Sequence, residues 1–222
     1  MQVNGIAPGV LAEECRGIGA LLIHFSTDYV FDGRKTTPYL EEDEAAPLSV
    51  YGRSKLAGEE AIRAVKCRAL IFRTAWLYSG RRDNFVATMR RLAKQKSELR
   101  VVNDQTGTPT WVRPLSEAIT KICGMMPSSR GRGIGEGSPV YHATCTGGTT
   151  RYDFVRAILD DLARKAPKET VARLTPISSL DYPAQARRPL YSVLSNAKME
   201  RDFGLRLPDW RIAFDLFARA NG

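Results

Sequence analysis

The chain has 222 residues, 43% of them hydrophobic and 26% charged, a globular balance that excludes disorder, collagen and coiled coil. Its 33 basic residues against 24 acidic give a net charge of +9, which favours anionic partners. The arginines lie in scattered pairs (Arg81-Arg82, Arg90-Arg91, Arg130 with Arg132, Arg187-Arg188) rather than in a basic arm, so no nucleic-acid partner is expected.

Met1 to Pro8 carries neither a basic flank nor an apolar signal core, and no apolar run approaches the ~20 residues that cross a bilayer, so neither secretion nor a membrane partner is expected. Residues 7–18 predict a helix with Pro8 near its start, and residues 20–25 a buried strand. An acidic loop runs to Pro47. Residues 49–66 then predict a helix capped by Ser49, and 69–73 the next strand. A helix follows over 83–96 behind Asp83 or Asn84, then a strand over 99–102 and a helix over 112–125. Pro127 to Pro139 reads as a flexible loop, 140–144 as a strand, and 150–165 as a helix behind Thr149 or Thr150. Two helical pieces, near 195–203 and 209–220, close the chain. Near-continuous apolar strands alternating with helices imply an α/β fold with a parallel sheet.

Cys15, Cys67, Cys123 and Cys145 form no Cys-x-x-Cys pair, and with only His24 and His142 beside them no zinc cluster is expected. Such isolated cysteines fit a reducing compartment, so the expected location is the cytoplasm.

Tyr51-Gly-Arg-Ser-Lys55 opens a predicted helix, and the i, i+4 spacing puts phenol and ammonium on one face. A neighbouring ammonium lowers a phenol's pKa, making a proton donor for a carbonyl under reduction. Chance alone yields about 0.3 such pairs in a chain of this composition, so the pair by itself reads sooner as a surface tyrosine and a solvated lysine. Position adds weight. The strand over 20–25 runs into Ser26-Thr27-Asp28, and in parallel sheets function collects beyond the strands' carboxyl ends. Thr27 there can hold the substrate oxygen, or merely cap a local turn.

Ser26 to Gly33, then Tyr51 to Glu59, resembles the extended short-chain dehydrogenase/reductases, and among them the dTDP-4-dehydrorhamnose reductases. Further matching words follow in order: Arg73-Thr74-Ala75-Trp76, Asn84-Phe85, Asn103 to Thr110, Gly147 to Thr150, Asp181-Tyr182-Pro183, Arg187-Arg188-Pro189, Ser192-Val193-Leu194 and Leu207 to Trp210. The resemblance implies a Rossmann-like parallel sheet with helices on both faces over residues 1–145 and a small, interleaved substrate lobe over 146–222. It implies Thr27, Tyr51 and Lys55 as catalytic residues, the last two also touching the cofactor. The cofactor would be NADPH or NADH, and the reaction reduction of a dTDP-4-keto-6-deoxy-sugar to dTDP-L-rhamnose. Trp76 falls where the family has an aromatic wall beside the sugar, though a strand-end tryptophan also fits a core. Asn84, Gln105 and Arg188 are candidates for the nucleotide side, each also readable as a surface residue; Arg73, inside a strand, reads as structural. The resemblance brings in Mg²⁺ as a possible ion, without ligands here, so no metal residues are assigned.

No Gly-x-x-Gly-x-x-Gly turn opens the chain. Against the family fold about 75 residues, two or more βα units of ~30 each, are missing ahead of Met1, with the pyrophosphate turn among them. Weak cofactor binding is therefore expected. So is an unpaired apolar strand over 20–25, which favours poor solubility or a homodimer joined at that edge. The alternative reading is a non-catalytic relative acting as a binding subunit, as in the methionine adenosyltransferase regulatory subunit. A third, an anion-binding protein, rests on charge alone.

Overall fold

The computed structural model describes residues 1–81, 83–126, 137–168, 170–182 and 186–221. Most of the loop expected over 127–139, together with Arg82, Arg130, Arg132 and Pro183, lies outside them. A short π-helical segment, Gln2–Ile6, runs into α1 (Ala7–Ile18). Then come β1 (Leu22–Thr27), α2 (Val50–Val65), β2 (Ala69–Thr74), β3 (Leu77–Tyr78), α3 (Phe85–Gln95) and β4 (Glu98–Val102). The order continues with β5 (Thr106–Gly107), β6 (Thr110–Trp111), α4 (Val112–Met125), β7 (Val140–His142) and β8 (Thr149–Thr150). It ends with α5 (Arg151–Lys165), β9 (Arg173–Ile177), α6 (Ala197–Phe203) and α7 (Trp210–Ala220).

The central sheet is parallel, in the order β1-β2-β7. Thr27 pairs with Thr74, so β1 and β2 end level with each other. β2 is buried along its whole length, and the two-residue period sends its side chains to opposite faces. Ala69 and Ile71 pack with Ala12 and Ile62 of α1 and α2. Leu70 and Phe72 pack with Leu115, Ile119 and Ile122 of α4 and with Met199 and Phe203 of α6. This alternation puts helices on both faces. Arg73 is the one charge on β2; its Nε and Nη2 donate to the two carboxylate oxygens of Glu59 at 3.0 and 2.7 Å, fastening sheet to α2 through a buried ion pair. β1 pairs with β2 alone, leaving its other edge open among the described residues.

A second body of core joins β3, α3 and β6 to α5 and α7 around Tyr78, Trp111, Phe154, Phe214 and Phe217. Beside it β4 pairs in parallel with β9, an element the sequence pattern does not reveal. Arg-Leu-Thr-Pro-Ile carries a proline, which reads against a strand, yet a strand with only one neighbour tolerates it. Residues 77–111 thus pack with the last third of the chain.

Candidate active site

A cavity of about 410 Å³ opens over the carboxyl ends of β1 and β2. Ser26, Thr27, Asp28 and Tyr29 form one wall, Tyr51 and Lys55 of α2 a second, and Thr74, Ala75 and Trp76 a third, with Phe85, Arg151 and Phe154 beyond. Thr27, Tyr51, Lys55 and Trp76 therefore meet in one place.

The start of α2 is set by Ser49, whose Oγ accepts from Gly52 N at 3.0 Å. A Cβ at Gly52 would sit 2.2 Å from the carbonyl oxygen of Tyr29, so glycine there lets the loop after β1 close onto the helix that carries Tyr51. The Tyr29 and Tyr51 rings meet edge to face at 6.1 Å. Thr27 Oγ1 donates to Asp28 Oδ1 at 3.0 Å and accepts from Tyr29 N at 3.2 Å.

The electrostatics differ from the simple pairing of phenol and ammonium. Burial pushes the Tyr51 phenol up, Asp28 and Tyr29 add to that, and the Thr27 hydroxyl alone opposes it. Lys55 Nζ donates instead to the carbonyl of Phe25 at 2.5 Å, and burial draws its pKa down while Glu59 works against the shift. The lowering of Tyr51 by Lys55 expected from their spacing is thus not present in this arrangement. Asp28, fully enclosed, is pushed up to about 6 by burial, against hydrogen bonds from Ser192 and Thr27 and the charge of Arg151.

Trp76 lines the cavity while packing, half-buried, against the second core. Its φ is 44°, a conformation that costs a bulky side chain about 1–2 kcal/mol. On one side the indole covers Gly107, where a Cβ would fall 2.5 Å from the ring; on the other the Arg151 guanidinium lies 4.1 Å from the ring centroid.

A second cavity of about 370 Å³ lies between α3, β4 and α5. Gln105 and Arg188 line it, together with Phe85, Met89, Tyr182 and Arg151. Asn84 lines neither cavity: its Oδ1 accepts from Val86 N and Ala87 N at 3.0 and 3.2 Å, and its Nδ2 donates to the Ser79 carbonyl. It caps α3.

The residues the sequence reading missed are Asp28, Tyr29 and above all Arg151. Asp28 and Tyr29 could have been found, since they continue the word that holds Thr27. Arg151 follows the Gly-Gly-Thr-Thr word, but nothing local marks it as facing both cavities.

The cofactor side can be tested against unsatisfied groups. Ser26 Oγ and Thr74 Oγ1 are buried in the wall of the first cavity with no hydrogen-bond partner, and Lys55 and Tyr51 stand across from them. Buried hydroxyls without partners are costly. Donors and acceptors of this kind fit the polar nicotinamide-ribose end of a dinucleotide. For Mg²⁺ the donor set does not fit: no group of three or more His, Cys, Asp or Glu converges among the described residues, and no step is assigned to a metal.

A parallel sheet with helices on both faces and a hydroxyl, a phenol and an amine gathered over its strand ends defines a Rossmann-like dehydrogenase/reductase. The profile of the RmlD substrate binding domain family matches residues 1–220, and the chain belongs to that family. It is 43% identical over 219 residues to a dTDP-4-dehydrorhamnose reductase of Burkholderia thailandensis, covering 98% of this chain and 73% of that one. The solved dTDP-4-dehydrorhamnose reductase of Clostridium acetobutylicum superposes with a TM-score of 0.87 at 35% identity, over 99% of this chain and 72% of that one. That of Bacillus anthracis, solved in complex with NADP, superposes with a TM-score of 0.85 at 31% identity, over 98% and 72%.

Proposed function

We propose that the chain is an oxidoreductase that reduces the 4-keto group of a dTDP-4-dehydro-6-deoxyhexose to give dTDP-L-rhamnose, a nucleotide sugar for polysaccharide synthesis. The observation that carries the reading is that Thr27, Tyr51 and Lys55 line one cavity beside the wall made by Trp76.

The bound nicotinamide supplies hydride to C4. The protein's own residues manage the oxygen. Thr27 turns its hydroxyl from Asp28 toward the carbonyl oxygen and holds it. Tyr51, a phenol that keeps its proton at neutral pH, gives that proton to the oxygen as negative charge develops there. Lys55, one helical turn away, must leave the Phe25 carbonyl and turn to the phenol oxygen before it can stabilise the phenolate. Tyr51 and Lys55 would also hold the cofactor's ribose, with Ser26 and Thr74 facing its polar end. The B. anthracis relative's complex with NADP supports NADPH over NADH. The nucleotide would occupy the second cavity, where Gln105 and Arg188 offer an amide and a cation. The sheet body thus serves the cofactor, and the body around α3, α5 and α7 the substrate.

The open edge of β1, with Phe25 42% exposed on it, supports self-association of the chain there. Light scattering should report a dimer or larger; a well-behaved monomer would count against this part of the reading. The reaction itself is tested with 4-deuterated NADPH at millimolar concentration and the dTDP-4-keto sugar. Deuterium at C4 of a dTDP-rhamnose product is the expected result, and no incorporation overturns the assignment.

A further inference from the structure

Arg151 is a cation in an adverse place. It is 9% exposed, and no carboxylate lies within ion-pair distance of it among the described residues. It is also the first residue of α5, where the helix dipole disfavours positive charge. A buried, unpaired charge of this kind is costly. Its direct contacts are neutral: Nε donates to Gln105 Oε1 and Nη2 to the Tyr29 hydroxyl, both at 3.1 Å, and the guanidinium face lies on Trp76, while the enclosed carboxyl of Asp28 acts on it through space without an ion-pair contact. Three of its five N–H donors have no partner among these bonds.

Its position explains what the charge is for. Arg151 and Phe85 are the residues that line both cavities, so a ligand reaching from one to the other must pass the guanidinium. Arg188 on the rim of the second cavity adds a further cation close enough to disfavour the charge on Arg151. Two arginines converge on one passage with the enclosed carboxyl of Asp28 set against Arg151 but not ion-paired to it, and the excess positive charge matches a doubly charged group.

We propose that Arg151 is a specificity-determining residue whose buried guanidinium receives the diphosphate of a nucleoside diphosphate sugar, with the nucleoside in the second cavity and the sugar under Trp76. The proposal rests on the nucleotide-sugar reading above and adds the residue that recognises the charge. The stack on Trp76 has a second consequence. An anchored diphosphate fixes the guanidinium, and the fixed guanidinium fixes the indole that walls the sugar.

Calorimetric titration of the full chain with dTDP and with thymidine separates recognition of phosphate from packing. R151Q is expected to weaken dTDP by about 10- to 100-fold, the range for charge-assisted bonds, while thymidine stays within about 2-fold. R151K keeps the charge but loses the planar fork, so it is expected to weaken dTDP by about 3- to 10-fold and to carry the test if R151Q does not fold. Equal losses for dTDP and thymidine would assign Arg151 to packing and overturn the proposal, as would unchanged dTDP affinity. Wild-type protein that binds no dTDP would instead sink the nucleotide-sugar reading, and the proposal with it.

Discussion

The cavity over β1 and β2 takes most of its polar wall from two short words, Ser26 to Tyr29 and Tyr51 to Lys55, whereas the second cavity gathers Phe85, Gln105, Arg151, Tyr182 and Arg188 from across the chain. The first is held by a strand end, a capped helix and one buried ion pair. The second is held by packing between α3, α5 and the β4–β9 pair. Chemistry that needs fixed distances between a few atoms sits on the regular sheet. In the proposed function, recognition of the larger ligand falls where distant segments converge. The two should therefore fail separately, and perturbing each one alone should show it.

The largest effect falls on the first region. Glu59→Ala leaves Arg73 buried without its partner, a loss of about 3–5 kcal/mol and of roughly 10 °C in Tm. A drop in Tm of less than ~2 °C would mean that the pair does not hold the sheet to α2.

Acid should act on the same region. Burial, helped by Lys55, pulls His24 down to about 4, and burial, helped by Arg73, pulls the fully enclosed His142 down to about 3. Both sit on the central sheet. For each, the unfolded chain binds the proton more readily. Their stabilisation is thus complete above pH ~6.5 and is lost as pH falls toward 3, roughly 3–5 kcal/mol for His142 alone. Asp28 works in the opposite sense: with its folded pKa raised to about 6, it favours the fold below ~3.8 and loses that contribution as pH rises through 6. Two histidines outweigh one carboxyl, so net stability should fall with acid. Hydrogen exchange at pH 4 should show β1, β2 and β7 opening before β4 and β9; the reverse order would contradict this placement.

Smaller effects separate chemistry from binding. Thr27→Val should lower kcat by about 10²–10³ through loss of the group that holds the reacting oxygen, with dTDP affinity within about 2-fold. Gln105→Leu should do the opposite, weakening dTDP by about 10-fold with kcat little changed, since it removes the acceptor that steadies Arg151. A uniform loss of both quantities in either variant would merge the two regions into one.

The same contrast explains what could be read from the sequence. Hydrophobic period and caps place α1, α2, α4 and α5 within a residue or so, because those signals are local: Ser49 and Thr150 both cap as their neighbours predict. Thr27, Tyr51 and Lys55 were legible because each belongs to a short word with an i, i+4 or strand-end logic. β9 was not, because Pro176 hides a strand made by its pairing with β4. Arg151 was not, because its meaning lies in Tyr29, 122 positions away, and in Gln105, 46 away. Asn84 could be read as a cap or as a ligand contact, and the local role took the side chain.

The most direct measurement is the kcat of Tyr51→Phe with the dTDP-4-keto sugar and NADPH, alongside its affinity for dTDP. The phenylalanine ring preserves the contact with Tyr29 and removes only the hydroxyl that donates the proton, so kcat should fall by about 10²–10⁴ while dTDP binding stays within about 2-fold of wild type. Turnover within a few-fold of wild type would contradict the assignment of Tyr51 as the proton donor.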